Sequence, residues 1–330
     1  MTDVPASTLI VRRAGADDLA AVFELASLSL GWQGDDADAA FFHWKHFENP
    51  FGESPMWVAT ERDVIVGFRT FVRWRFHDDQ GSIVEAVRAV DTATHPSARG
   101  RGIFTKLTLH AVDELRTQGV KLIFNTPNDR SRAGYLKMGW SVIGRVPTGI
   151  MPTSVGSLFA LATARKPARR WSVDTPAGEP APDVLADNAA VDRLLSTTSA
   201  SGLATARSAR FLSWRYGFEP LRYRAMLAGS SPADGFIVFR LRQRGKAVEG
   251  VVCDALLSQT DRGVERKLLR RIARSSGADY LIWVQRQPFA RGPIVRLPRI
   301  GPILTCRPLT EMPPPPLSGW RLTLGDIELF

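Results

Sequence analysis

A short segment rich in glycine and arginine is the part of this sequence that most directly indicates chemistry. Arg99-Gly100-Arg101-Gly102 follows a strand-like run and immediately precedes an amphipathic segment with apolar residues at intervals of four. Glycine, which has no Cβ, allows a ligand to approach the backbone closely. Consecutive N–H groups at a helix N-terminus form a concavity that favours anions. The segment therefore predicts a pyrophosphate-binding turn, although a glycine pair before a helix is by itself a common feature.

A second motif with a tyrosine, a lysine and a glycine follows one helix and one strand later. It begins at Asn125 and ends in Tyr135-Leu-Lys137-Met-Gly139-Trp140. A buried-looking strand precedes it, and its own spacing is typical of a short helix with a glycine after its end. The order of the two motifs is more informative than either motif alone.

Together the two motifs resemble those of the GNAT acetyltransferases. The family's first motif is Arg/Gln-x-x-Gly-x-Gly/Ala, and Arg99, Gly102 and Phe104 stand at its three defined positions. Phenylalanine departs from the small residue usual at the last position. The resemblance covers roughly residues 8–150 and implies an α/β fold (an α+β mixed sheet, the GNAT fold) whose fourth and fifth strands splay apart. We expect two GNAT-like lobes.

The resemblance also implies the donor and the residues that bind it. Acetyl-CoA is the expected acyl donor, as a co-substrate and without a metal ion. Its pantetheine arm would pair with the backbone of the fourth strand, about residues 90–94. The expected acyl-CoA contacts are Val90, Thr92, Thr94, Arg99, Gly100, Arg101, Gly102, Ile103, Phe104 and Asn128.

Three side chains are candidates for the catalytic steps. Tyr135 matches the family's tyrosine that protonates the departing thiolate. The base is left open between Glu85 and Asp91 on the fourth strand, with Asp91 preferred because it lies nearer the pantetheine-binding end. Six residues apart, the two carboxylates would face the same side of a regular strand, unless a bulge intervenes. His43 and His46, without further metal ligands nearby in sequence, are interpreted as a helix face.

Hydrophobic periodicity predicts the elements that position these residues. We expect a short hairpin turn at Glu61-Arg62-Asp63. The predicted strands cover 8–12, 56–60, 64–76, 82–94 and 120–125, and the predicted helices 17–30, 37–47, 103–118 and 131–138.

The second half repeats the first at an offset of 170 residues near two tryptophans. Trp44 and Trp214 each stand six residues before a proline, and both are followed by strand-like segments and a helix. We interpret the tryptophans as core residues and the pattern as an internal duplication. The second copy lacks the glycine pair and the Tyr-x-Lys-x-Gly motif, so we expect no acyl-CoA there. The predicted domains are 1–162, a linker over 163–184, and a degenerate second domain over 185–330.

Composition is that of a soluble globular protein, and no apolar run is long enough to span a bilayer. The N-terminus lacks the features of a signal peptide, and two distant cysteines fit a reducing compartment, so we expect a cytoplasmic protein. The net charge of +10 lies in residues 151–330, which suggests an anionic partner for the second lobe.

The sequence therefore predicts an N-acyltransferase that transfers an acetyl or short acyl group from acyl-CoA to a primary amine of a small molecule or peptide. Attack would be direct, in a ternary complex, and an anionic acceptor is favoured. Two alternatives remain open. One is a tandem-GNAT aminoacyl transferase that uses aminoacyl-tRNA, the only reading in which nucleic acid is expected. The other is a non-catalytic binding protein on a GNAT scaffold.

Overall fold

The computed structural model of the protein describes residues 8–154, 156–157, 166–198, 201–257, 262–284, 295–296 and 301–328. Two mixed sheets with helices packed on them form two lobes. The strands are β1 Ile10–Arg13, β2 Met56–Glu61, β3 Val64–His77, β4 Ile83–Thr94, β5 Leu122–Asn125, β6 Ser141–Arg145, β7 Thr148–Pro152, β8 Ala168–Val173, β9 Glu179–Pro180, β10 Ala204–Thr205, β11 Arg224–Leu227, β12 Phe236–Arg244, β13 Ala247–Leu256, β14 Tyr280–Val284, β15 Val295–Arg296 and β16 Ile303–Pro308. The helices are α1 Leu19–Leu30, α2 Asp36–Phe47, α3 Ile103–Thr117, α4 Asp129–Lys137, α5 Ala181–Leu185, α6 Asn188–Thr197, α7 Ala209–Gly217, α8 Arg262–Ser275 and α9 Leu324–Ile327.

The first sheet has the strand order β1-β2-β3-β4-β5-β16-β6, with β10 also paired to β3. β1 to β5 lie within a few residues of the predicted bounds, whereas β6, β10 and β16 were not predicted. The predicted hairpin turn is confirmed. Arg62 (φ 49°) and Asp63 (φ 63°) both adopt the left-handed conformation. A two-residue turn of this kind matches the twist of the strands it joins.

Both faces of the β3–β4 hairpin are buried in its central part, so apolar residues there do not simply alternate with polar ones. On one face, Val87 belongs to a core with Leu107 of α3 and Tyr135 of α4. On the other face, Val90 belongs to a core that continues into the second lobe. The hairpin is therefore the central layer between α3 and the second half of the chain.

The second sheet, in the order β15-β7-β14-β13-β12-β11-β9 with β8 on β12, repeats the plan of the first. In each lobe an antiparallel hairpin is followed by a helix and a parallel strand. The two predicted core tryptophans meet at the centre. Their rings stack at 5.2 Å, and each indole N–H donates to the other residue's carbonyl, Trp44 to Trp214 at 2.9 Å and Trp214 to Trp44 at 3.0 Å. This reciprocal contact supports the internal duplication.

The two halves exchange one strand each. β7, from the first half, lies antiparallel between β14 and β15 of the second sheet. β16, from the second half, lies antiparallel between β5 and β6 of the first sheet. Each sheet is thus completed by the other half, which periodicity along the chain did not reveal.

The predicted domain boundaries stay a prediction, but the structure differs from them within the predicted linker 163–184. Residues 163–165 lie outside the described part of the chain. β8 (168–173) pairs with β12, and β9 and α5 continue the same lobe. The sequence did not predict β8, because the strand is short, only partly buried and set in a segment rich in proline and arginine.

The last described segment is held between the lobes by buried charges. Glu328 is 7% exposed and accepts from Arg240 Nε at 2.7 Å. Arg215 and Arg242 lie against the same carboxylate at 3.6 and 3.4 Å. Burial opposes ionisation of Glu328, but the three guanidinium groups outweigh it and lower its pKa. The carboxylate is therefore charged at neutral pH and neutralises buried arginines of the second lobe.

We predict that Glu328→Gln lowers the free energy of unfolding by about 3–5 kcal/mol at pH 7, because it leaves buried guanidinium groups uncompensated. Glu85→Gln is the matched control, since Glu85 pairs with Arg75 and both side chains are 41% exposed. Its expected cost is below about 1 kcal/mol. Urea unfolding measures both. Because the pKa of Glu328 is lowered on folding, the difference from wild type should shrink as the pH falls below about 4. Equal effects of the two substitutions would contradict this account.

Candidate active site

The predicted phosphate-binding turn lies between β4 and α3, open to solvent. Gly100 (φ 78°) and Gly102 (φ 74°) are both left-handed, a conformation that favours glycine. A Cβ at either position would meet no protein atom within 4 Å. The first N–H groups of α3 have no carbonyl one turn earlier to bind. The turn therefore has room and donors for a pyrophosphate, and the residues present fit this part of acyl-CoA.

The two arginines of the turn differ in their partners. Arg101 forms a two-pronged ion pair with Glu61 at the end of β2, with one of the contacts at 2.9 Å. Arg99 is exposed, and no ion pair of its side chain occurs within the described residues. Arg99 is therefore the arginine more available to bind a phosphate. Arg101 connects the turn to the β2–β3 hairpin through Glu61.

A gap opens between β4 and β5 directly below the turn. The two parallel strands are paired only from Ala86 to Arg88. Further along β4, the register against β3 shifts between Arg69 and Thr70, so that Asp91 is the extra residue of a bulge. This bulge breaks the regular alternation of sides that would place Asp91 and Glu85 together.

The backbone of β4 beyond the bulge faces the gap. His95 N–H donates to Val66 of β3 at 2.9 Å. The backbone hydrogen-bonding groups of a strand alternate between its two neighbours. Those of Thr92 and Thr94 therefore point away from β3, to the side where β5 no longer pairs with β4. Val90 lies before the bulge, opposite Thr70. Thr92 and Thr94 therefore present free backbone groups where the resemblance implies the pantetheine arm.

Asp91 lies at the bulge inside a buried cluster of charge. Its carboxylate contacts Lys45 Nζ and accepts from His46 Nε2 at 2.9 Å. Burial opposes ionisation of Asp91, but the charge of Lys45 and the hydrogen bond from His46 outweigh it and hold its pKa well below its usual range. Burial also lowers the pKa of His46, which is neutral at pH 7. Such a carboxylate is a weak proton acceptor.

Glu85 lies away from the gap, near the start of β4. Its side chain is 41% exposed and pairs with Arg75 at 2.8 Å. The structure brings Asp91 but not Glu85 to the gap. The sequence did not indicate Lys45 and His46 as site residues, because their shared partner, Asp91, is 45 residues or more away. The interpretation of His46 as part of a helix face therefore missed its contact with Asp91.

Tyr135 lies on α4 beside the gap, 4% exposed. Its ring packs edge-on against Phe104, with centroids 5.4 Å apart. Phe104 in turn lies 3.3 Å from where a Cβ of Gly134 would be. The bulky residue in the first turn of α3 is thus accommodated by a glycine on α4, which explains the departure from the family motif. Ile103, 2% exposed, anchors the same turn in the core.

Asn128 has a structural function that is visible in the fold. Its side chain accepts from Ser131 N–H at 2.9 Å and so caps the N-terminus of α4. Its predicted contact with acyl-CoA stays a prediction.

Arg88 marks the point where β4 and β5 separate, and it holds the last segment of the chain. Its guanidinium donates to the carbonyls of Asp326 and Ile327, both at 3.1 Å, and to Thr126 Oγ1 at 3.0 Å. Burial lowers the pKa of Arg88 to about 9, although Asp326 opposes this. The C-terminal segment is therefore fixed close to the gap, on the face opposite α3.

In the second lobe, α9 packs closely against α7 and β13. Gly325 of α9 approaches Tyr216 and Asp254 so closely that a Cβ would lie 2.2 Å from the Tyr216 hydroxyl. Gln259–Asp261, part of the segment in the position of the phosphate turn, lies outside the described residues. Within the described residues no group of three or more His, Cys, Asp or Glu side chains is placed to hold a metal. No described helix is both long and apolar enough to cross a membrane.

Comparisons with known proteins agree with this geometry. Residues 10–143 match the Acetyltransferase (GNAT) domain family. A sequence search of curated proteins gives no match. A probable N-acyltransferase from Enterococcus faecalis has a similar structure, with a TM-score of 0.63 and 12% identity over 92% of this chain and 73% of that one. A GCN5-related N-acetyltransferase from Anabaena variabilis gives 0.62 at 14%, over 92% and 73%.

A GCN5-related N-acetyltransferase from Kribbella flavida gives a TM-score of 0.60 at 16% identity, over 92% of this chain and 72% of that one. At these identities the likeness concerns the fold, and it extends over both lobes. The predicted fold class, a mixed α/β GNAT fold in two lobes, is confirmed. The family match, the open glycine turn and the splayed strands lead to the same conclusion: residues 10–143 form a GNAT acetyltransferase domain.

Proposed function

We propose that the first lobe transfers an acetyl or other short acyl group from acyl-CoA to a primary amine by direct attack on the thioester. The observation that carries this proposal is the gap between β4 and β5 beneath the glycine turn. The turn offers donors for the pyrophosphate, and Thr92 and Thr94 offer free backbone groups for the pantetheine arm. Coenzyme A would supply the activated acyl group, and the chain's own residues would bind and orient it.

The reaction has two proton requirements. An amine with the pKa of lysine, near 10.4, is mostly protonated at pH 7, and freeing its lone pair costs about 5 kcal/mol. The departing thiolate needs a proton or a hydrogen bond, and Tyr135 beside the gap is the proposed donor. The role of Asp91 and Glu85 as base stays a prediction. The low pKa of Asp91 and the distant position of Glu85 argue against both.

The acceptor we propose is anionic, and α8 supports this. Many second-lobe arginines form ion pairs with buried carboxylates and are not available to a ligand. Arg207, for example, pairs with Asp254 and Asp326. Helix α8, by contrast, carries six basic residues and one acidic residue, and most of its basic side chains are exposed or partly exposed. Its surface charge would favour a negatively charged amine-bearing molecule.

Calorimetric titration with acetyl-CoA tests the donor site. We predict one-to-one binding that Gly102→Glu weakens by at least about 100-fold, or 2.7 kcal/mol, because a carboxylate would face the pyrophosphate. Gly119→Glu is the matched control. Gly119 has nearly the same φ (79°), equal space around it, and a position at the other end of α3. Failure of the wild type to bind any acyl-CoA would refute the proposal and favour an aminoacyl-tRNA donor or a scaffold role.

Substitution of Tyr135 tests the thiolate donor. We predict that Tyr135→Phe lowers kcat by about 100-fold, the lower end for loss of a positioned acid, with acetyl-CoA affinity unchanged. The ring contacts with Phe104 and Trp140 are kept in this variant, so its thermal stability serves as the internal control. The measurement is free thiol release with an amine acceptor. An unchanged kcat would remove Tyr135 from the chemical step.

A double variant separates the structural and catalytic roles of Asp91. Asp91→Asn alone should destabilise the fold by about 3–5 kcal/mol, because it leaves Lys45 buried without a partner. Lys45→Met combined with Asp91→Asn should restore stability. We expect its activity to remain within about tenfold of wild type, since a carboxylate of such low pKa is a weak base. A stable double variant with a loss of about 100-fold or more would instead make Asp91 the base.

A further inference from the structure

Arg69 on β3 is buried on the same face of the first sheet as α3 and α4. Its exposure is 0%. The neighbouring Gly67 confirms the direction of this face, since a Cβ there would lie 2.8 Å from Ile103 of α3. The guanidinium carbon lies 4.4 Å from the Phe71 ring centroid, 5.4 Å from that of Tyr135 and 5.7 Å from that of Phe104.

The hydrogen-bonding capacity of Arg69 is largely unused. Nη1 lies 3.4 Å from the Val90 carbonyl, which is a long contact. Nε and Nη2 have no partner among the described residues. A guanidinium has five N–H donors, so most of its donors are unpaired.

The charge of Arg69 also has no carboxylate partner among the described residues. Arg207, Arg215 and Arg240, by contrast, each contact at least one carboxylate. Contacts with aromatic faces offset only part of the cost of burying a cation. An unpaired buried guanidinium is a site for an anion.

The position of Arg69 indicates which anion. Its guanidinium lies between Tyr135, the proposed proton donor to sulfur, and Val90, the residue before the β4 bulge. Phe104, its third neighbour, belongs to the first turn of α3. Arg69 is therefore buried on the α3 side of the proposed acyl-CoA cleft, in contact with Tyr135 and with the strand that carries the bulge. The thioester is neutral before transfer, and the sulfur becomes negative when it leaves.

We propose that Arg69 is an anion-binding residue for the coenzyme A thiolate; this rests on the proposed function. The amine nitrogen forms a bond to the carbonyl carbon, the carbon–sulfur bond breaks, and its electron pair stays on sulfur. The amine's proton passes to water. Arg69 keeps its own proton and donates N–H groups to the thiolate, which Tyr135 then protonates, and Tyr135 regains a proton from the water that accepted the amine's.

The pH dependence of coenzyme A binding tests this without measuring turnover. Calorimetry between pH 6.5 and 9.5 would use coenzyme A and desulfo-coenzyme A, which lacks the thiol. A free thiol has a pKa of about 8.5, and Arg69 should lower it in the complex. Coenzyme A affinity, relative to desulfo-coenzyme A, should therefore rise by about 10-fold or more with pH, which corresponds to a shift of one pKa unit or more.

Arg69→Met should remove this rise and leave desulfo-coenzyme A binding unchanged. Arg13→Met is the matched control, because the Arg13 guanidinium also lies over an aromatic ring, 4.1 Å from that of Trp57, but outside the cleft. Arg13→Met should keep the wild-type pH dependence. If Arg69→Met does not fold, the wild-type titrations still test whether coenzyme A affinity rises with pH relative to desulfo-coenzyme A. Arg69→Lys, which keeps the charge, should then retain part of this rise.

Three results would overturn the inference. A wild type that binds both ligands with the same pH dependence leaves Arg69 a packing residue only. Arg69-dependent binding of S-carboxymethyl-coenzyme A, without a pH-dependent gain for coenzyme A, assigns the guanidinium to a carboxylate on the acyl group instead. A wild type that binds neither ligand refutes the proposed function itself, and the inference with it.

Discussion

The reciprocal exchange of β7 and β16 is the constraint on which the rest of the structure depends. Without β16, β5 and β6 would face each other across an empty strand position, with unpaired backbone groups on both sides. Buried N–H and C=O groups without partners are costly, so each sheet requires the other half of the chain. The two lobes are therefore parts of one folding unit, although each has the order of elements of a complete domain.

The exchange also decides what surrounds the gap in the first sheet. β5 is fixed by β16 on one side, so it cannot follow β4 beyond Arg88 and the strands separate there. The bulge at Asp91 turns β4 further, and the buried Lys45–Asp91–His46 cluster holds that bulge against α2. The gap is thus an outcome of packing on both sides.

Buried arginines are unusually frequent in this core, and their surroundings differ in an informative way. Arg215 and Arg240 neutralise Glu328 and so fasten the C-terminal segment between the lobes. Arg88 holds the same segment through backbone carbonyls. Arg69 has no carboxylate partner in the described part of the chain, and it is the one that lies beside the proposed leaving-group position. The electrostatics of the first group stabilise the fold, whereas that of Arg69 fits a ligand.

The sequence by itself determined the order of elements from β1 to α4, the two-residue hairpin turn and the glycine turn before α3. These features are local, because periodicity, left-handed turn positions and helix ends involve residues a few positions apart. Tyr135 was also found in this way, through a motif confined to α4 and its C-terminal end.

Only the tertiary structure decided which strands complete each sheet, which carboxylate lies at the gap and which cations surround it. β7 and β16 pair with partners from the opposite half, and their short sequences alone do not indicate which sheet they join. Asp91 and Glu85 have the same parity along β4, so the sequence does not distinguish them. In the structure, the bulge and the contacts with α2 bury Asp91, whereas Glu85 stays exposed. Arg69 is buried because α3 and α4 both pack over β3. Residue spacing along the chain does not predict this contact.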